Sequence, residues 1–535
     1  MTQPDAEARR GILRRMGVAT ALMMASVLLS RVVGFLREII IAGQQGATGQ
    51  TDAYFAAFTL PDLLNYFLAG GTLSITFIPL FSAHLARGDE EGGWRLFSTV
   101  ATGVGALVLA AVLAGQWLAP ALVPLLNPGF DDPAQLALCV RMTRIVTPGM
   151  LCFAWGGLLQ ATLLSKEQFR WVAPIPIIYN LGIIAGGVGL GPWLGVEGFA
   201  WGALAGAVAG PLLLPLWASR HTLRYRPRLD LRSEGFRRYL ALALPLMLGV
   251  SLVSMDEWLL KWFGSWLEAG TISWLNNARR LMLVPVAIIG QAASQAALPF
   301  LSRLWAEGRR AEMAEALTEG LRRVLFWAAL AGGALGALAG PLVSVAFERG
   351  AFSARDAQGT AALLACFAAG VCAWSVQNLI ARGYYALQNT WQPMLIGTAV
   401  VILSLPLYAA LGDRWGAPGL ALASSAGITL NALVMVLFFA RRHAPLGLRA
   451  LGACALRALA SAGAGAGAAL LAATALPPLA APLALALGAA LYGAAALGVA
   501  ALLRAPELDL LTGLAARVAA RLRPRRAAAS DERTR

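Results

Sequence analysis

The chain has 535 residues, of which 58% are hydrophobic and 13% charged, with a mean hydropathy of +0.66. A soluble domain carries about 25% charged residues, so a water-soluble globular fold is excluded. The chain also lacks the short alternating strands of an outer-membrane barrel. The net charge of +15 would suggest nucleic acid in a soluble protein, but here the charges lie between apolar runs and no nucleic-acid partner is expected.

Apolar runs of about twenty residues are long enough to cross a bilayer as helices. They predict about fourteen transmembrane helices, at 16–42, 53–82, 97–119, 136–164, 172–190, 196–218, 239–263, 272–301, 322–345, 357–386, 393–411, 417–439, 451–474 and 483–503. The connecting segments then alternate sides. One set, counted with the adjoining helix ends at Arg322, Arg323 and Arg457, holds 32 Lys and Arg, and the other holds only Arg349, Arg355 and Arg414. By the positive-inside rule both termini are expected in the cytoplasm. Eight basic residues remain inside the proposed helices.

The start, with Arg9-Arg10 and Arg14-Arg15 before an apolar run, resembles a signal peptide. The run contains Arg31, Arg37 and Glu38 and has no clear cleavage site, so it reads as a retained first helix. Cys139, Cys152, Cys366, Cys372 and Cys454 all sit in apolar stretches without metal-ligand spacing and read as small buried hydrophobes. His84, His221 and His443 all fall at the expected cytoplasmic side, so no metal site and no His-based catalysis are expected.

The chain repeats at an offset of about 220. Pro79 and Ser82 match Pro299 and Ser302, Trp171 matches Trp391, Pro120 matches Pro341, and Gly198 matches Gly419. Six helices per copy is an even number, so the copies are expected to be parallel repeats. The expected domains are an N-lobe at 1–218, a linker at 219–238, a C-lobe at 239–441, two further helices in 442–503 and a basic tail at 504–535. The linker carries Arg220, Arg224, Arg226, Arg228, Arg232, Arg237 and Arg238. It is either a segment lying on anionic headgroups or a topogenic signal. The charged stretch 305–323 reads as an interfacial helix, and Pro477-Pro478 turns between the last two helices.

Ionisable groups inside a bilayer are costly and usually face a functional cavity. At about 100° per residue, Arg31, Gly34, Arg37 and Glu38 fall within an arc of about 120° on the first helix. Arg is the side chain best suited to bidentate phosphate contact, and Glu38 can hold an Arg when no ligand is present. The alternative is a structural Arg–Glu tie or snorkelling. Asp52 either caps the second helix or neutralises Arg37 across the cavity mouth. Pro61 and Gly70-Gly71 mark places where that helix kinks or unwinds. Asp256, Glu257 and Lys261 lie on the seventh helix, and Glu257–Lys261 reads as a local ion pair. Asn276, Arg279 and Arg280 lie on the eighth, and Asn378 and Arg382 on the tenth. Both lobes therefore direct Arg toward a shared interior that suits an amphiphilic anion.

Four stretches resemble the MurJ (MviN) family of the multidrug/oligosaccharidyl-lipid/polysaccharide exporter superfamily. They are Ser-Arg-Val-Val-Gly-Phe-Leu-Arg-Glu at 30–38, Thr-Asp-Ala-Tyr-Phe-Ala-Ala-Phe-Thr-Leu-Pro-Asp-Leu-Leu at 51–64, Phe-Ile-Pro-Leu-Phe-Ser at 77–82 and Ala-Arg-Arg-Leu-Met at 278–282. The resemblance implies an all-α polytopic membrane protein, with two six-helix lobes in a V and two extra helices lining a lipid-tail groove. It implies a lipid II flippase of the bacterial inner membrane, moving an undecaprenyl-pyrophosphate-linked saccharide lipid by alternating access for cell wall synthesis. Inner-membrane lipids and cell-wall synthesis proteins would be its partners.

By motif position Arg31, Arg37, Glu38, Asp52 and Arg280 would bind substrate, with Gly34, Asn276 and Arg279 as further candidates. The chain departs from the family's pattern at Asn65, Tyr66, Ala69-Gly70-Gly71 and Arg279. Some relatives bind sodium between the seventh and eleventh helices, but Lys261 lies where an acid would be wanted, so no sodium is expected. No cofactor is expected, with membrane potential or an ion gradient as the driving force. The other readings are a related flippase for another polyprenyl-linked oligosaccharide, a drug exporter, a polyprenyl-phosphate transferase, and an assembly scaffold. An Arg-dominated cavity disfavours cationic drugs, and no carboxylate or His cluster suggests a transferase.

Overall fold

The computed structural model describes residues 3–68, 76–230, 232–248, 252–475, 477 and 479–509. Gly70 and Gly71 lie outside the described residues. All regular structure among them is helical. In hydrocarbon every backbone polar group must be paired within the segment, and a helix does this alone. Among the described residues, eight helices are long and apolar enough to cross a membrane, or ten if two bent pairs each count as one span. The chain is an all-helical, multi-pass membrane protein.

The first helix runs Gln3–Gln45. The second expected helix is broken into Gly49–Ala57 and Thr59–Leu68, resuming at Ile78–Ala86. Two other breaks fall close to prolines, whose ring removes a hydrogen-bond donor from the helix. Pro133–Val146 and Gly149–Ser165 meet at Thr147-Pro148. Arg310–Ala337 and Ala339–Phe347, with Pro341 in the second, bend by 74°. The stretch 305–323 is not a separate interfacial helix. Trp305 ends the helix Ala292–Ala306, Gly308 turns the chain at φ 74°, and residues from Arg310 onward continue into a membrane-crossing helix.

The 220-residue repeat extends into backbone conformation. Gly88 and Gly308 have φ of 72° and 74°, and Glu167 and Gln388 both have 57°. Gly195 (φ 56°, ψ −133°) ends one helix, and Gly416 (φ 61°, ψ −137°) divides the run Trp391–Arg442 into two helices. A side chain is strained at that φ, so glycine recurs at both.

Contacts group the chain into two units. Unit 1 is Met1–Arg280, Val343–Leu363 and Gly397–Ser424, and unit 2 is Leu281–Leu342, Leu364–Ile396 and Ser425–Arg535. Unit 1 has one core around Ile41, Tyr54, Phe55, Met142, Phe199 and Ile272, and another around Phe77, Phe81, Trp94, Phe97 and Phe236. Unit 2 packs Phe326 and Leu330 against Cys454, Tyr492 and Ala496 of the last two membrane helices. There the Tyr492 hydroxyl donates to the Leu330 carbonyl at 2.6 Å, and Glu507 pairs with Arg322 and Arg457. Outside the membrane spans, Asp89 caps the helix Glu90–Leu126. The Gly92 N–H and His84 hold its carboxyl below the ordinary carboxylate range.

In unit 1 the helices Ile175–Leu194 and Glu197–Ala207 touch backbone to backbone. A Cβ added at Gly186 would stand 2.3 Å from the Gly202 Cα, and one at Gly182 would stand 2.5 Å from the Gly206 Cα. Small residues permit such approach between membrane helices, where packing rather than hydrophobicity drives association. Gly186→Leu has no void to enter. It is expected to cost about 3 kcal/mol or more and to lower the melting temperature of the detergent-purified protein by several degrees. An unchanged melting curve would contradict this packing.

Candidate functional site

Glu38 is the centre of the arrangement. It is 1% exposed, yet it lies on the helix Gln3–Gln45, whose apolar Val32 and Leu36 are exposed. A carboxylate so placed must be neutralised or hydrogen-bonded. Its Oε1 is paired with Arg37 of the same helix and lies 3.5 Å from Arg280 Nε, while Asn276 Nδ2 donates to Oε2 at 3.3 Å. Asn276 and Arg280 are four residues apart on the helix Thr271–Pro285, so both reach the same neighbour. One carboxylate therefore organises two guanidiniums and an amide, with Arg280 still exposed.

Arg37 Nη1 also donates to Asn180 Oδ1 at 2.9 Å. Asn180 stands on the helix Ile175–Leu194, and its amide fills the space beside Gly34, 3.6 Å from where a Cβ would lie. The gap expected at Gly34 thus receives a side chain of the protein itself. Arg31 is exposed, six residues before Arg37, or about 9 Å of helix rise.

Asp52 takes neither expected role. The cap of Gly49–Ala57 is Thr48, which with Thr51 forms a reciprocal capping box. The Asp52 carboxylate, 2% exposed, instead accepts from Gly270 N–H at 2.6 Å, Ser273 N–H at 2.7 Å and Ser273 Oγ at 2.7 Å. It therefore caps the N-terminus of Thr271–Pro285, where unpaired N–H groups and the helix dipole favour an anion. The helix carrying Asn276 and Arg280 is fixed to the second helical segment by this seam.

Arg279 points elsewhere. It is buried and paired with Asp256, whose other oxygen accepts from the Tyr408 hydroxyl. Beside this triad, Lys261 Nζ lies 3.4 Å from Glu257 and 3.9 Å from Asp62. The local Glu257–Lys261 pair is present, and Asp62 adds a partner from another helix. Arg382 stacks over the Tyr385 ring. Sequence reading missed Asn180, Ser273 and Tyr408. Asn180 carried a usable signal, as an amide within an apolar helix. Ser273 and Tyr408 carried none that separates them from ordinary helix residues.

A polytopic helical bundle in which one buried carboxylate poises a part-buried and an exposed arginine has the build of a membrane transporter. The chain belongs to the lipid II flippase MurJ family, whose model matches residues 41–487. A relative from Burkholderia cenocepacia named lipid II flippase MurJ is 29% identical over 445 residues, covering 80% of this chain and 84% of the relative. A Vibrio cholerae relative named probable lipid II flippase MurJ is 27% identical, covering 78% of this chain and 82% of its own. Among solved structures, a lipid II flippase MurJ in an inward closed conformation matches with TM-score 0.76. It shares 22% identity and covers 92% of this chain and all of its own. An inward-facing multidrug resistance MATE transporter matches with TM-score 0.62 and 15% identity, covering 79% of this chain and 95% of its own. These two likenesses establish the fold.

Proposed function

We propose that this protein is a flippase for lipid II, carrying the pyrophosphate-linked peptidoglycan precursor across the bacterial inner membrane without covalent chemistry. The observation that carries the reading is Glu38, buried and shared between Arg37, Asn276 and Arg280. Without cargo, Glu38 holds the guanidiniums in place and leaves the cluster one net positive charge instead of two. A pyrophosphate entering the site offers more negative charge and bidentate geometry to the same arginines. It displaces Glu38 from part of its contacts, and the balance shifts by differential affinity between the two states.

Transport proceeds by alternating access. Both termini lie in the cytoplasm, on the basic side. Trp217, Trp305 and Trp171 stacked with Arg220, Arg310 and Arg170 anchor the helix ends there. The Asp52 seam then lies toward the outer face, and its opening releases the headgroup. Membrane potential assists, since an anion leaving the negative side gains about 2.3 kcal/mol per charge per 100 mV. The polyprenyl tail stays in lipid along the helices Leu448–Ala475 and Ala481–Leu502.

The test is rescue of cells depleted of their own flippase. The unaltered chain is expected to restore growth and outward lipid II, and Arg37→Ala to fail at equal membrane abundance. Arg37→Lys keeps the charge but loses the planar fork, so transport is expected to fall about tenfold or more. Failure of the unaltered chain despite correct insertion would overturn the lipid II reading. Full activity of Arg37→Ala would overturn the assigned site.

A further inference from the structure

The connector 219–238 takes no part in the Glu38 site. Its stretch 223–230 has no helical turns and lies across the helix Glu90–Leu126. Arg226 N–H donates to Ser98 Oγ at 3.2 Å, and Arg228 N–H to Thr102 Oγ1 at 3.3 Å. Leu223 and Tyr225 pack on the core around Phe97, while Arg224, Arg226, Arg228 and Leu229 are exposed. Tyr225 meets Trp155 edge-on at 5.1 Å and shares a hydroxyl contact of 3.1 Å with Thr102. These three residues line an apolar cavity of about 450 Å³ together with Ala106, Leu109 and Leu212.

We propose that this cavity holds an acyl chain of an anionic glycerophospholipid, whose phosphate is gripped by Arg224, Arg226 and Arg228. The volume falls in the range of built ligand sites. Ala106 and Leu109 are exposed on a helix that meets the length and hydropathy of a membrane span, so hydrocarbon is the surrounding medium. Tyr225 of the connector lines the cavity, its chain neighbours Arg224 and Arg226 are exposed beside it, and Arg228 follows two residues on. Arg228 is the only one of the three drawn toward a carboxylate of the connector itself, Asp230, at 3.3 Å. A phosphate is the anion that membrane lipid brings to such a position. The bound lipid clips the connector onto the first half of the chain. The site does not depend on which cargo the Glu38 cluster carries.

The test uses the full-length protein and native mass spectrometry with phosphatidylglycerol or phosphatidylethanolamine at equal concentration. Phosphatidylglycerol is expected to be retained about fivefold more. The triple variant Arg224→Gln/Arg226→Gln/Arg228→Gln should lower that retention to the phosphatidylethanolamine level. Ala106→Phe, which fills the cavity from an exposed position, should do the same, and Leu109→Trp replaces it if it does not fold. Equal retention of the two lipids, or retention unchanged by the variants, overturns the proposal. Displacement of phosphatidylglycerol by a polyprenyl phosphate also overturns it, by giving the cavity to the cargo's tail.

Discussion

Asp52→Ala is expected to abolish rescue and to expose the N-terminus of the helix Thr271–Pro285. The carboxylate accepts three hydrogen bonds within 2.7 Å, two of them from backbone donors. Bonds to a charged group contribute about 1.5–3 kcal/mol each, so a conservative loss for the whole seam is about 3 kcal/mol. That is a shift of roughly 150-fold between sealed and open forms. The reporter is a cysteine at Thr271 in a background lacking the native cysteines. Thr271 is 1% exposed, and its hydroxyl has no hydrogen-bond partner, so Thr271→Cys removes nothing the seam needs. With Asp52 in place, a membrane-impermeant maleimide should label it slowly. With Asp52→Ala, labelling should accelerate by about tenfold or more. Asp52→Asn should fall between, because its amide oxygen accepts but its NH2 faces a donor. Unchanged labelling in Asp52→Ala would show that the seam is held by something else.

The second large effect belongs to Arg279. Breaking a buried ion pair leaves one charge uncompensated and costs about 3–5 kcal/mol. Arg279→Ala strands Asp256 with only the Tyr408 hydroxyl from the described triad, and the melting temperature of the purified protein should fall accordingly. The double variant Asp256→Asn/Arg279→Gln removes both charges and keeps the volume, and it should recover most of that loss. A double-mutant cycle reads the coupling directly. Additive losses would mean that the two residues act independently. Arg279 precedes Arg280 on the same helix and anchors it toward the helix Leu252–Gly264 and Tyr408. The double variant should therefore fold but transport more slowly.

These two residues show where sequence reading stops. Arg279 and Arg280 are adjacent and chemically identical, and the sequence offers both to the cargo. Packing separates them, with one 7% exposed and neutralised by Asp256 and the other exposed beside Glu38. Asp52 was legible as an acid at a helix start, but its acceptor role lies 218 residues away at Gly270. Gly34 was legible as a gap, and Asn180 is what fills it. The sequence marked a kink at Pro61, and the break falls three residues earlier at Phe58, while the breaks at Thr147-Pro148 and Leu338 fall inside stretches that read as single helices. The 46° bend between Ala354–Ala368 and Val371–Ala386 falls at Ala369-Gly370, where a Cβ on Gly370 would lie 3.0 Å from Ser425 Oγ.

The sequence by itself determined that the chain is helical and crosses the membrane, because hydrocarbon admits no other pairing for an isolated apolar segment. It also carries an offset of about 220 residues, which reappears in the paired φ angles of Gly195 and Gly416. Helical periodicity sufficed to place Arg37 beside Glu38, and Asn276 above Arg280, because those relations lie within single helices. Only the tertiary structure decided which helices supply the partners. A buried charge is settled by whichever group packing brings within about 3 Å, and that distance is set by helix contacts far apart in the chain.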